Sequence, residues 1–160
     1  MTPLILVSLL ACARPEPVET ARFRADSAPI YSSAVLLDDR LAGHWDQVAT
    51  FARNGQPACS PGNADIQGGQ VRWTLCLADG EQSGASLMQP VKPGRYAVSG
   101  MEPWWVLWAD ADYRTLVIGT PSGRFGFVLN RGSALSADRQ QAVRDILQFN
   151  GFRLQDLVIF

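Results

Sequence analysis

The sequence predicts an all-β domain, an antiparallel barrel or sandwich, followed by one helix and a last short strand. Three observations carry this expectation. From Leu41 onward, short apolar or alternating runs are separated by turn residues. Past Arg131 the apolar period lengthens from that of a strand to that of a helix. After Asn150-Gly151 an apolar run returns to strand texture. At 160 residues and 47% hydrophobic, the chain is long enough for one domain with a core and too short for two.

The elements follow in order. Strands are expected over 45–53, 70–77, 83–91, 95–99, 104–110, 113–119 and 125–131, with one more irregular strand within 57–66. Turn signals lie between most of them: Asn54-Gly55, Gly68-Gly69, Asp79-Gly80, Pro93-Gly94, Met101-Glu102-Pro103 and Pro121-Ser122-Gly123. Ser136 can cap a helix that buries Ala142, Val143, Ile146, Leu147 and Phe149 on one face and turns Asp138, Arg139, Arg144 and Asp145 to water. Asn150-Gly151 ends it. Residues 154–160 read as the final strand.

The start of the chain reads differently. Residues 4–11 form an apolar run too short to span a bilayer and suited to a signal-peptide core. Leu9-Leu10-Ala11-Cys12 resembles the bacterial lipobox, in which cleavage precedes the cysteine and its thiol takes a diacylglycerol. An ordinary secretory signal cleaved elsewhere is the alternative. Residues 12–34, with Pro15, Pro17 and Pro29 and no apolar period, read as a tether. The division expected is thus 1–11 signal peptide, 12–34 lipidated tether and 35–160 folded domain.

Charge and cysteines narrow the function classes. The 14 Lys plus Arg against 15 Asp plus Glu leave no basic excess for a nucleic-acid backbone. With Cys12 acylated, Cys59 and Cys76 remain as an even pair in an oxidising compartment, where a disulfide is the default and two free thiols the alternative. A closure of that length is worth about 3 kcal/mol. Two cysteines and one histidine do not make a metal site, and no cofactor motif is present. Catalysis is not expected: His44 is the single histidine, and there is no G-x-S-x-G, H-E-x-x-H or P-loop.

Gly43-His44-Trp45, Ala111-Asp112-Tyr113-Arg114 and Arg131, in this order and before one helix, resemble the three signature regions of the lipocalins. Trp104-Trp105-Val106-Leu107, Phe127-Val128-Leu129-Asn130-Arg131 and Asn150-Gly151-Phe152 are similar to the bacterial group anchored as outer-membrane lipoproteins, itself similar to apolipoprotein D. The departures are Asp46 after Trp45, Ala111 where threonine is frequent, and a short stretch over 57–84. The resemblance implies an eight-stranded antiparallel up-and-down barrel with the helix packed outside. It makes Gly43, Trp45, Asp112, Tyr113 and Arg131 the floor, with the Arg131 guanidinium over the Trp45 indole.

It also implies a small hydrophobic ligand, a fatty acid or lysophospholipid, held by a lipid-anchored protein on the outer membrane facing the periplasm. With Arg131 inward, alternation puts Leu129, Phe127 and Phe125 on the inner wall, and counting from Trp45 adds Gln47, Ala49 and Phe51. Trp73, Leu75 and Leu77 join them. The resemblance to apolipoprotein D adds Trp105, with Leu107 on its face, and leaves Trp104 and Trp108 outside. Arg95 or Arg72 at the rim could meet a headgroup. Plain core packing would use the same aromatics. The rival reading is an envelope lipoprotein barrel that binds or inhibits a protein partner, with a packed interior and a protruding loop in place of an open cavity.

Overall fold

The computed structural model describes residues 20–160. The expected signal peptide, Cys12 and the first part of the tether lie outside the described residues. Nine strands form one sheet: β1 (Gly43–Phe51), β2 (Asn63–Gln67), β3 (Gln70–Leu77), β4 (Gly80–Lys92), β5 (Arg95–Val98), β6 (Trp104–Ala109), β7 (Thr115–Gly119), β8 (Gly126–Asn130) and β9 (Leu157–Ile159). Neighbours are antiparallel and sequential from β2 to β8, β8 pairs with β1, and β1 pairs with β2, so eight strands close a barrel while β9 adds to β1. One helix, α1 (Ala137–Phe149), follows. This is the closed eight-stranded barrel with a C-terminal helix expected from the sequence.

Closure is incomplete along one seam, and the sequence supplies the repair. Strand β2 is only five residues long, so it pairs with β1 from Gly43 to Asp46 and no further. Beyond that point the side-chain amide of Gln47 takes the place of a strand: its Nε2 donates to the Cys76 carbonyl at 2.8 Å, and its Oε1 accepts from the N–H of Cys76 and Gly62 at 2.8 and 3.0 Å. The Thr50 hydroxyl adds a bond to the same Cys76 carbonyl at 2.7 Å. Gln47 is 2% exposed. In Gln47→Leu the Cys76 N–H loses its partner in a dry seam, which should cost about 1–3 kcal/mol. Urea unfolding checks this, and a midpoint equal to the parent's would mean that the seam is solvated.

Two bulges decide which side chains face inward. The register of β1 against β8 shifts between Gln47 and Ala49, which rotates the rest of β1 by one residue. Phe51, expected inside, therefore faces outward, with ring centroids 5.5 Å from Phe23 and 5.1 Å from Phe152. Ala49 packs in the same outer cluster. In β6 the shift falls between Val106 and Trp108. Leu107 and Trp108 both lie outside it, and Ala109 returns to the inner side.

Helix α1 covers the outer apolar face made by Val48, Leu107, Val117 and Val128, and it buries Val143 and Leu147 completely. Phe149 is 68% exposed rather than in this face, and its ring meets that of Tyr31 at 5.8 Å. Ser136 holds the N-cap position without a side-chain bond to the helix backbone. Its hydroxyl accepts from Arg139 Nε at 3.0 Å. Arg139 does not simply face water, because its Nη1 reaches Asn130 Oδ1 at 2.9 Å and Thr115 Oγ1 at 3.1 Å, tying the helix to β7 and β8.

The folded body begins earlier than residue 35. Phe23 and Arg24 are 2% and 6% exposed. Phe23 donates its N–H to Gly123 O at 2.7 Å and accepts from Arg153 N at 2.8 Å. The Arg24 guanidinium donates to the carbonyls of Asn150, Pro121 and Ala28. Part of the segment read as a tether is thus docked between the β7–β8 loop and the end of α1. The stretch has no apolar period, and it is anchored by Phe23 and Arg24 together with backbone bonds from Ala25 to Gly151 O and from Ser33 to Val106 O.

Candidate functional site

Strand direction gives the barrel two unlike ends. The β1 start, the β2–β3 and β6–β7 turns and the end of β8 lie at one end; the long β1–β2 connection and the β3–β4, β5–β6 and β7–β8 loops lie at the other.

The first end is a floor. Trp45 is fully buried, its indole N–H donates to Leu41 O at 2.8 Å, and the Arg131 guanidinium sits 3.9 Å over its ring. The rest of that guanidinium ties down carbonyls: Nε bonds Tyr113 O at 3.0 Å, and Nη2 bonds Ala42 O and Arg40 O at 2.8 and 3.1 Å. Burial and the nearby Arg40 lower the Arg131 pKa from its usual value, though an arginine stays charged throughout the accessible range. Gly43 is required here, because its φ is +120° and a Cβ would lie 2.6 Å from Arg131 Nη1.

Tyr113, with φ +55°, accepts a bond from Leu37 N at its hydroxyl and carries the Arg40 guanidinium 4.3 Å over its ring. The turn beside it is shaped by Asp110, whose Oδ1 accepts from the N–H of Arg114 and Thr115 at 2.6 and 2.7 Å. Asp112, expected to shape that turn, is exposed and makes an ion pair with Arg114 at 3.3 Å. His44 lies on the outer surface between Asp65 and Asp46, at 2.7 and 3.3 Å. The bond to Asp65 is the main cause that raises its pKa.

The inner wall is apolar and crowded. Trp73, Leu75, Leu77, Phe125, Phe127 and Leu129 face inward as expected, together with Tyr96, Val98, Trp104 and Val106. Trp105 and Leu107 do not, since both lie in the outer cluster. The resemblance had put Trp105 in and Trp104 out, and the pairing of β5 with β6 reverses them. Tyr96 faces inward opposite Trp104, whereas Arg95 stands opposite Trp105 and lays its guanidinium 3.8 Å over that ring on the outside. Two adjacent tryptophans read the same in either phase, so the sequence offered no signal to separate them.

At the second end a mouth cavity of about 160 Å³ is lined by Leu77, Gln82, Met101, Glu102, Arg124 and Phe125, among others. Glu102 gathers the loops around it: it accepts from Thr120 Oγ1 at 3.0 Å and from Ser122 Oγ, and it pairs with Arg124 at 3.4 Å. Arg124 is therefore a cation at the rim. Arg95 is taken up by Trp105 and by Ser32 Oγ at 2.9 Å, and Arg72 stands in the floor half of β3, opposite Asp65 and Ala85. A second, apolar recess of about 300 Å³ opens beside the floor, where Leu41, Ile66, Met88 and Pro90 meet Tyr96 and Asp38. The Tyr96 hydroxyl donates to Asp38 there, and burial followed by that bond raises the phenol's pKa. No cluster of metal-ligating side chains occurs among the described residues.

A closed eight-stranded barrel, with a tryptophan floor under an arginine and a helix packed outside, defines the lipocalin fold. Residues 90–160 match the family model described as a lipocalin-like domain. Among solved structures, lobster apocrustacyanin A1 is similar over 82% of this chain and 88% of its own, with a TM-score of 0.52 at 17% identity. The siderocalin Ex-FABP, described as working through dual ligand specificities, covers 76% and 93% with a TM-score of 0.55 at 15% identity. The cockroach allergen Per a 4 covers 83% and 93%, with a TM-score of 0.56 at 11% identity. At these identities the structures speak to the fold alone. No curated protein matches the chain in sequence.

Proposed function

We propose that this protein binds and carries small hydrophobic ligands, fatty acids or lysophospholipids, in the bacterial cell envelope, tethered to the outer membrane through Cys12 and facing the periplasm. The observation that carries the reading is the continuity of apolar wall from mouth to core. Leu77 and Phe125 line the opening and also belong to the inner cluster with Trp73, Leu75, Trp104 and Phe127. Each methylene that leaves water there contributes about 0.8 kcal/mol, and Arg124 and Gln82 at the rim offer a polar headgroup its bonds. Chemistry is not part of the proposal, because the single histidine stands outside the barrel. The family's ligand-carrying role points the same way.

The test is a titration of the protein with laurate and with lauroyl lysophosphatidylcholine, following tryptophan fluorescence. Trp73 and Trp104 report from the inner wall and Trp45 from the floor. Saturable change at micromolar ligand is expected. Phe125→Arg, which places a charge in the mouth, should weaken binding about tenfold or more, whereas Trp105→Ala, on the outer face, should leave it unchanged. No response to either ligand would remove the lipid reading and turn the search to a protein partner.

A further inference from the structure

The recess beside the floor offers space to a ligand at the end of the barrel away from the mouth. Its volume is about 300 Å³, at the lower end of the range for small-molecule sites. Its base is made by Leu41, Ile66, Met88 and Tyr96, all buried. Its sides come from three separate stretches: the short helical turn Asp38–Leu41 before β1, Gly68-Gly69 between β2 and β3, and Pro90 in β4. The side formed by the β2–β3 turn is open, because a Cβ built on either glycine would meet nothing within 4 Å.

The charge at this recess has one sign. The Tyr96 phenol, buried among apolar neighbours, donates its hydroxyl proton to Asp38 Oδ1 and so holds that carboxylate against the recess. Asp39, next in the turn, also lines it. Both aspartates are exposed, and among the described residues neither takes part in an ion pair. The neighbouring cations are committed elsewhere. Arg40 lays its guanidinium over Tyr113 and donates to Ala111 O. Arg131 covers Trp45 and bonds the carbonyls of Tyr113, Arg40 and Ala42. Lys92, beyond Pro90 in β4, is not part of the lining. Two adjacent carboxylates with no counter-ion repel an anion and attract a cation, while the base below them favours apolar surface.

We propose that this recess is a second binding site, for an amphiphile whose apolar part fills the space over Leu41, Ile66 and Met88 and whose ammonium group pairs with Asp38 and Asp39. Such a ligand carries the charge opposite to that of a fatty acid. The site goes beyond the lipid reading of the mouth and does not depend on it, since the two cavities share no lining residue.

The experiment compares octylamine, 1-octanol and octanoate, which at neutral pH present the same chain with a positive, a neutral and a negative head. Affinity for the recess is read from the backbone ¹H–¹⁵N signals of Asp39, Gly68, Gly69 and Met88. Octylammonium should bind about threefold or more tighter than octanol, the worth of an exposed charge pair, and octanoate should bind most weakly at these signals. Added salt should shrink the preference. Asp38→Asn keeps an acceptor for the Tyr96 hydroxyl and removes the charge. This variant and Asp39→Asn should each narrow the preference, and the two together should bring it close to one. Phe125→Arg, at the mouth, should leave octylammonium binding unchanged.

Equal affinity for octylammonium and octanol, or a preference that survives removal of both charges, would overturn the inference. Shifts confined to the mouth residues Gln82, Met101 and Phe125 would place the amine in the other cavity and overturn it as well, as would unmoved recess signals with all three probes. None of these results depends on whether laurate binds at the mouth, so the failure of this site and the failure of the lipid reading are separate outcomes.

Discussion

Trp45→Ala is expected to lower the unfolding free energy by about 3–5 kcal/mol, the range for removing a fully buried large aromatic. For a domain of this size that moves the thermal midpoint by roughly 10 °C. The indole is 0% exposed, fills the base of the barrel, and holds the turn before β1 through its bond to Leu41 O at 2.8 Å. Its loss also leaves the Arg131 guanidinium without the face it covers at 3.9 Å. Two milder variants separate these contributions. Trp45→Phe keeps an apolar plug, loses the N–H bond and should cost about 1 kcal/mol beyond the volume change. Arg131→Lys keeps the charge but cannot present a planar fork to the carbonyls of Tyr113, Arg40 and Ala42. Thermal unfolding followed by circular dichroism reads all three, and a Trp45→Ala midpoint within a degree of the parent's would dismiss the floor.

A glycine two before a tryptophan is weak by itself; the floor was legible through the resemblance of the ordered series Gly43-His44-Trp45, Ala111-Asp112-Tyr113-Arg114 and Arg131 to the lipocalin signature regions. The strand pattern was legible without it, since period-two alternation and paired turn residues are local properties. The wall of the site was legible only in part. Phe127 and Leu129 follow from alternation in β8, whose register with β7 is regular from end to end, and Phe125 continues it one residue before the strand. Phe51 was misplaced because a bulge at Gln47 to Ala49 leaves no mark on hydrophobicity. Trp105 was misplaced because the phase of β6 is fixed by its pairing with β5, which sets Trp104 opposite the inward Tyr96 and Trp105 opposite Arg95, a tertiary matter. Gln47 shows the same limit from the other side. A glutamine in an inward position reads as a departure from the pattern, and only the shortness of β2 reveals that it replaces a missing length of strand.

That seam explains why the disulfide should have the second largest effect. Cys59 and Cys76 are bonded, 17 positions apart in sequence, and replacing both by serine is expected to cost about 3 kcal/mol through the freedom returned to the unfolded chain. The native state should suffer as well. Cys76 is 0% exposed and is the residue on which Gln47 and Thr50 converge. The bond anchors the long β1–β2 connection to β3 at the point where β1 and β3 have no strand between them. Opening it therefore loosens the wall where Gln47 meets Cys76, one residue before Leu77 of the mouth lining. The expected result for the double serine variant, or for the parent in reductant, is a thermal midpoint lower by several degrees, with faster amide exchange at Gly62 and Cys76, whose N–H groups both donate to Gln47. A lower midpoint with unchanged exchange at these two amides would assign the stabilisation to the unfolded chain alone. An unchanged midpoint would mean that Gln47 and Thr50 hold the seam without the covalent bond.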